Sequence, residues 1–270
     1  MLLRREFLAA PAAAMAQSPR KVKVAFLGAS HAHGVAKLEM VKNSPDYELA
    51  GVWEEDAAAR ARLGRLGELR WRTKAEILGD RSVEAVFLEG PVVSHGPLAI
   101  EALEAGKHCH IEKPAADTVA QMKQIVTLAK ARRRVIQAGY MWRYNPAVTK
   151  ALEAVKKGWL GEVFSVHVRI NTNNGPGERV ELGKFAGGQM FEMGAHGVDI
   201  VVRMLGTPRR ITPFLRHDGA FQDSFQDNTA AVLEYPKAMA VIVTSALHPN
   251  GAAHRVLEIF GTNGSAVVQP

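Results

Sequence analysis

The segment VAFLGASHAHG, Val24 to Gly34, decides the fold because it reads as a buried strand that runs into a tight turn and a helix. In the dinucleotide-binding turn G-x-G-x-x-G, the three glycines serve the turn, the close approach of a pyrophosphate and helix–strand packing. Here Gly28, Ser30 and His33 stand at those positions, and Gly34 follows one residue later. The pattern favours a phosphate-binding loop in which Gly34 partly replaces the third glycine. An ordinary strand-to-helix turn is the alternative.

Strands and helices alternate through the first half of the chain. The apolar runs KVKVAFLG, YELAGVWEE, VEAVFLEG, HCHIEK and RVIQAGY are separated by segments of helical spacing. Such alternation predicts right-handed crossovers, hence a parallel sheet with helices on both faces. We therefore expect an α/β, Rossmann-type domain over residues 17–138.

The pattern changes after about Gly139. Longer runs rich in Val, Ile and Phe follow, namely EVFSVHVRIN, DNTAAVLEYP, AMAVIVTSALH and HRVLEIFG, with the helix-like QMFEMGAHGVDIVVRMLG among them. Short turns between such strands favour antiparallel pairing. Residues 139–270 are expected to form an α+β domain with an open, mostly antiparallel sheet.

Composition narrows the classes of partner. The net charge of +7 is spread along the chain, with its densest cluster at Arg132–Arg134, and no nucleic-acid motif accompanies it. We therefore expect no nucleic-acid partner. No apolar run reaches the ~18 residues of a membrane span. The single Cys109 excludes an internal disulfide and a Cys-rich zinc site.

The N-terminus resembles an export signal. RREFL is followed by an alanine-rich segment and a small-x-small site that ends at Ala16. These features predict a twin-arginine signal over residues 1–16 and a periplasmic protein. The alternative is a frayed tail on a cytoplasmic protein.

The second strand ends at the acidic pair Glu54 and Glu55. A carboxylate at this place can accept hydrogen bonds from the hydroxyls of an adenosine ribose and repels a 2′-phosphate. The pair therefore favours NAD over NADP as cofactor. A solvated acidic turn is the alternative.

Three segments resemble the Gfo/Idh/MocA family of nicotinamide-dependent oxidoreductases. GKHCHIEKP ends in the family's Glu-Lys-Pro hallmark, and GYMWRYNPAV is similar to its domain-junction segment. GGQMFEMGAHGVDI resembles the family pattern through Gly187, Gly188, Glu192, Gly194, His196 and Asp199. The resemblance covers the chain from about Lys21 onwards. It implies that Lys113, Glu192 and His196 are catalytic, and that a cis peptide bond precedes Pro114.

Hydride transfer from a secondary alcohol gives these three residues separate roles. Lys113 would stabilise negative charge on the reacting oxygen, and His196 would take the hydroxyl proton, because an imidazole pKa near ~6.5 suits that transfer. Glu192 precedes His196 by four residues and would share its helical face. It would orient His196 or contact the substrate.

Further residues are expected around the two ligands. The residues expected at the cofactor are Gly28, Ser30, His31, His33, Glu54, Glu55, His95, Glu112, Lys113 and Pro114. Those expected at the substrate are Tyr140, Arg143, Arg169 and Asn171, with Asn173 nearby. No metal is expected, because no carboxylate has an obvious ligand spacing to the histidines at 31, 33, 108 and 110.

Together these features predict an NAD(P)-dependent oxidoreductase that acts on a secondary hydroxyl of a sugar, cyclitol or polyol. An NAD-dependent glycoside-modifying hydrolase and a non-catalytic nicotinamide or sugar sensor are the alternatives. The resemblance also implies a homo-oligomer formed through the open sheet face. Because relatives usually continue beyond the point that corresponds to Pro270, a truncated version of the family is expected.

Overall fold

The computed structural model describes residues 20–270. The predicted export signal lies outside these residues. The strands are β1 (Val22–Leu27), β2 (Tyr47–Trp53), β3 (Ala85–Leu88), β4 (His108–Ile111), β5 (Ile136–Ala138), β6 (Val163–Asn171), β7 (Arg210–Arg216), β8 (Asn228–Glu234), β9 (Met239–Ser245), β10 (Val256–Gly261) and β11 (Gly264–Val268). The α-helices are α1 (Gly34–Asn43), α2 (Ala57–Leu63), α3 (Lys74–Gly79), α4 (Val92–Glu104), α5 (Val119–Arg132), α6 (Pro146–Lys156), α7 (Pro176–Leu182) and α8 (Ala195–Leu205).

The first five strands form one parallel sheet in the order β2-β1-β3-β4-β5. Two apolar clusters cover its two faces, one that includes Leu27, Val86 and Ile111, and one that includes Phe26 and Leu38. The predicted Rossmann-type sheet is confirmed. Its strands all end at the same edge, where ligands bind in such folds.

The remaining strands form a second sheet in the order β11-β10-β6-β9-β8-β7. Only β6 and β9 pair in parallel, and the other neighbours are antiparallel, so the predicted sheet type is confirmed. Helices α6 and α8 pack on one face, where Val168, Ile200 and Ile242 share a core.

Several elements were not predicted. The short α3 and α7 went unnoticed, and β11 is only five residues long. The other missed strand, β7, contains Pro213, which is tolerated because β7 lies at the sheet edge.

The long helix expected over 189–206 is interrupted. Met190–Gly194 form a π-helical turn, and α8 follows it directly. A Cβ on Gly194 would come within 2.2 Å of Met190 Sδ, so glycine is required there. π-Turns inside helices are frequent at functional sites. No helix within residues 20–270 has both the length and the apolar character of a membrane span.

Candidate active site

Lys113 lies at the carboxyl end of β4, where the parallel sheet meets the second domain. Its side chain is buried, and the Lys113–Pro114 peptide bond is cis, as predicted. The ammonium donates to the carboxylate of Glu192 and lies 3.4 Å from the Glu192 carbonyl oxygen. The first domain thus delivers a buried cation to the π-turn of the second.

The π-turn and α8 bring Glu192 and His196 to this point. Both side chains are buried, and Glu192 pairs with Lys113 through Oε1. Within residues 20–270, Glu192 Oε2 and His196 Nδ1 have no hydrogen-bond partner. The hydrogen bond by which Glu192 was expected to orient His196 is therefore not formed; the carboxylate holds Lys113 instead.

Two aromatic rings enclose His196. Trp142 stacks on the imidazole with ring centroids 6.4 Å apart, and Tyr140 meets it edge-on at 5.9 Å. Burial, assisted by the nearby charge of Lys113, lowers the pKa of His196 to about 3. The imidazole is consequently neutral at physiological pH, with Nδ1 free to accept a proton.

The loop after β1 has the backbone geometry that a dinucleotide requires. Gly28 has φ +84°, and a Cβ there would lie 3.0 Å from the backbone of Gly90. A Cβ on Gly34 would lie 2.5 Å from the carbonyl oxygen of Ala29, so Gly34 provides the close packing expected of it. No side chain caps the first turn of α1, whose amide groups face an open loop. These features fit a bound pyrophosphate.

The two acidic residues after β2 have different surroundings. Glu54 is buried and accepts hydrogen bonds from the N–H groups of Ala29 (2.6 Å) and Asp56 (2.9 Å), so it braces the loop. Glu55 is exposed. A cleft of about 510 Å³ opens here, lined by Trp53, Glu54, Glu55, Arg60, Trp71, Arg72, Thr73 and Glu76. Of the two acids, Glu55 is the one free to accept from a ribose.

A buried charged cluster lies beneath the loop, and the sequence gave no sign of its central residue. Lys37 donates to Glu89 (2.8 Å) and to Glu112, and both carboxylates are buried. Burial raises the pKa of Glu89 to about 7 against the pull of Lys37. Burial also acts to raise the pKa of Glu112, but contacts from His33 and Lys37 outweigh it and hold that pKa well below its usual range.

The predicted histidines join this cluster in different ways. Burial lowers the pKa of His31 to about 3 and that of His110 to about 4, so both are neutral. The ligand atoms of His31, His33 and Glu112 converge, as do those of Glu89, His110 and Glu112. The argument that no carboxylate lies near these histidines was therefore wrong, because the strand ends supply two.

His95 is fully buried, and its ring nitrogens lie 2.8 Å from the Pro114 carbonyl oxygen and 2.9 Å from that of Gly90. Both nitrogens are engaged within the protein, where they hold the loops after β3 and β4 together. The predicted contact of His95 with the cofactor would have to replace one of these interactions.

Three predicted substrate residues have other contacts. The Arg143 guanidinium forms a two-pronged ion pair with Asp199 (2.7 and 2.5 Å). Arg169 points away from the core-facing Val168, is exposed, and donates to the His254 carbonyl oxygen at 3.2 Å. Asn171 Oδ1 accepts from the Ser245 N–H at 3.1 Å. These geometries contradict direct substrate binding by Arg169 and Asn171 and assign Arg143 to the junction of α8.

Tyr140 and Arg143 do line a cavity. A cleft of about 620 Å³ runs along α8 with mostly apolar walls, among them Met122, Phe191, Val198 and Val202. Tyr140 stands between this cleft and His196, so its predicted place at the pocket wall agrees with the structure.

Two family models match nearly all of the described chain. One, an oxidoreductase family with an NAD-binding Rossmann fold, matches residues 22–140, and the other, a GFO/IDH/MocA C-terminal domain, matches residues 148–267. The chain belongs to the Gfo/Idh/MocA family. It is an oxidoreductase of that family, and NAD is the cofactor of its first domain.

Individual relatives agree with this assignment. An uncharacterized oxidoreductase of Schizosaccharomyces pombe is 27% identical over 90% of this chain and 69% of its own length. The scyllo-inositol 2-dehydrogenase (NAD(+)) of Bacillus subtilis is 26% identical over 92% of this chain and 74% of its own. The solved structure of GenD2 from gentamicin A biosynthesis in complex with NAD is 25% identical, with a TM-score of 0.82 over 99% of this chain and 75% of its own.

Proposed function

We propose that this Gfo/Idh/MocA oxidoreductase transfers a hydride to or from the carbon of a secondary hydroxyl in a sugar, cyclitol or polyol. The observation that carries the proposal is the meeting of Lys113 with Glu192 beside His196, at the carboxyl end of β4. Similarity to an inositol dehydrogenase supports the substrate class.

Each of the three side chains has a distinct task. Bound NAD⁺ supplies the hydride acceptor. The neutral His196 accepts the hydroxyl proton at Nδ1, the nitrogen without a partner among residues 20–270. The Lys113 ammonium donates to the same substrate oxygen and stabilises the charge that develops there. Glu192 keeps Lys113 charged and aimed at the site, while Trp142 and Tyr140 fix the imidazole and exclude water.

The test measures reduced nicotinamide during incubation of the NAD-loaded protein with a panel of sugars, inositols and polyols. We expect net NADH from at least one of them, and its loss in Lys113→Met with NADH binding retained. Lys123→Met on α5 is a matched control because it replaces an ordinary helix lysine. Product formation without net NADH would support the NAD-dependent hydrolase instead. Ligand binding that is indifferent to Lys113→Met would support a sensor.

Export and cofactor retention are a linked proposal. We propose that residues 1–16 direct the folded protein out of the cytoplasm, so that the nucleotide must be held tightly and recycled between two substrates. Mass spectrometry of the nucleotide released on denaturation tests this: stoichiometric NAD after gel filtration supports it, and rapid loss of the nucleotide contradicts it.

The outer face of the second sheet supports self-association. This face, opposite α8, carries apolar side chains that no described element covers, among them Phe214, Val232, Val241, Val243, Phe260 and Val267. We propose that two copies of the chain bury it against each other. Light scattering on Val243→Lys, with Val22→Lys as a control at another exposed strand position, should show a smaller mass for the first variant only.

A further inference from the structure

Arg255 is a cation for which the described structure provides no counter-ion. It precedes β10, forms no ion pair within residues 20–270, and its Nε is buried without a hydrogen-bond partner. A buried polar group without a partner costs free energy, and a desolvated charge costs more. Burial accordingly lowers the pKa of Arg255, although the guanidinium stays charged. Such a group is retained where a ligand completes its hydrogen bonds.

The side chain lies on the catalytic side of the sheet. Side chains alternate along a strand, so Arg255 shares a face with Leu257 and Ile259, which pack in the core beneath α8. The register that pairs Val256 with Arg169 places Arg255 beside the end of β6. Its charge reaches His196 strongly enough to help lower the pKa of the imidazole.

The backbone before Arg255 is held firmly. A Cβ on Gly251 would lie 2.8 Å from the Asn171 carbonyl carbon, so the turn that leads to β10 packs directly on the end of β6. The exposed Arg169 then donates to the His254 carbonyl oxygen. These contacts fix the point from which the Arg255 side chain starts, and a fixed start reduces the entropy lost on binding.

The charges around the substrate position do not cancel. Lys113 and Glu192 neutralise each other, and His196 is neutral. Arg255 therefore leaves the pocket with one excess positive charge. A neutral polyol would bring nothing to balance it, whereas an anionic substrate would.

We propose that Arg255 binds an anionic oxygen group, a carboxylate or a phosphate, on the substrate, so that the enzyme acts on a sugar acid or sugar phosphate rather than on a neutral polyol. The proposal rests on the proposed function and adds the charge of its substrate. Arg255 would accept the anion while Lys113 and His196 contact the reacting hydroxyl. A guanidinium can hold a carboxylate or phosphate through two parallel hydrogen bonds.

The test uses three probes, D-glucuronate, its neutral methyl ester and D-glucose 6-phosphate, titrated calorimetrically into the NADH-loaded protein. We expect at least one anion to bind about 10-fold or more tightly than the ester, as a charge-assisted hydrogen bond predicts. The anion that binds more tightly identifies the group. In Arg255→Gln its affinity should fall about 10- to 100-fold and that of the ester by less than about 3-fold.

Two further variants separate charge from structure. Arg255→Lys keeps the cation and should recover part of the anion preference. Arg210→Gln removes an exposed arginine from the edge strand β7 of the same sheet and should change neither affinity. Equal binding of the ester and both anions, no binding of any probe, or an equal loss of all three in Arg255→Gln would overturn the proposal.

The outcome is separable from that of the proposed function. If NADH is produced from neutral polyols and the anions bind no better, the oxidoreductase proposal stands and the anion site falls. If the anions bind through Arg255 but no probe or panel compound yields NADH, the anion site stands and the hydride-transfer proposal falls.

Discussion

Two buried arginines of the second domain have opposite surroundings. Arg179 on α7 is fully buried, pairs with Asp223 (2.7 Å) and Asp227 (2.8 Å), and stacks on Phe221. Arg255 has no carboxylate within ion-pair distance among residues 20–270. The first charge is satisfied by the fold, so it serves the fold. The second is left for a ligand, and the same distinction separates the Glu54 brace from the free nitrogen of His196.

The largest expected effect comes from breaking the satisfied pair. Arg179→Met leaves Asp227 buried without its main partner and should lower the free energy of unfolding by about 3–5 kcal/mol. Urea denaturation measures the loss. The matched variant Arg255→Met removes an unpaired cation and should cost less than about 1 kcal/mol. Equal losses in the two variants would end the comparison.

Lys113 lies between these extremes, because its partner Glu192 keeps a second oxygen unpartnered among the described residues. Lys113→Met should reduce kcat about 100- to 1,000-fold, the scale seen when one donor to a reacting oxygen is removed. Glu192→Gln retains a hydrogen bond and should reduce kcat less. A kcat of Lys113→Met near that of the parent would contradict the assigned role.

Acid should weaken the protein through its buried neutral histidines. The pKa of His196 is lowered to about 3 and that of His110 to about 4, so between these values and about pH 6.5 the unfolded chain binds more protons. Stability is therefore fully present above about pH 6.5 and declines as the pH falls. Tm should drop across this window in the parent and drop less in His196→Gln. Identical slopes would show that His196 is not buried as a neutral group.

Arg169 gives the smallest expected effect. Arg169→Gln should change kcat/KM by less than about 2-fold, since the side chain is exposed and contacts only a backbone carbonyl in the described structure. A loss of 10-fold or more would restore the sequence-based prediction that Arg169 binds substrate.

Prediction from the sequence succeeded where one local pattern determines the result. The parallel strands follow from short apolar runs between helices, and Lys113 follows from a motif at a strand end. Arg169 failed because the period-2 alternation of β6 was not used to assign its face. Lys37 and Arg255 were missed because their significance depends on partners that are present or absent in space, which no sequence spacing shows.

The arrangement of the substrate is the central claim, and a crystal structure of the protein with NADH and D-glucuronate tests it most directly. The account predicts one sugar hydroxyl within hydrogen-bond distance of both Lys113 Nζ and His196 Nδ1, with the carboxylate on Arg255. A sugar bound with its hydroxyls away from Lys113 and His196 would contradict the account.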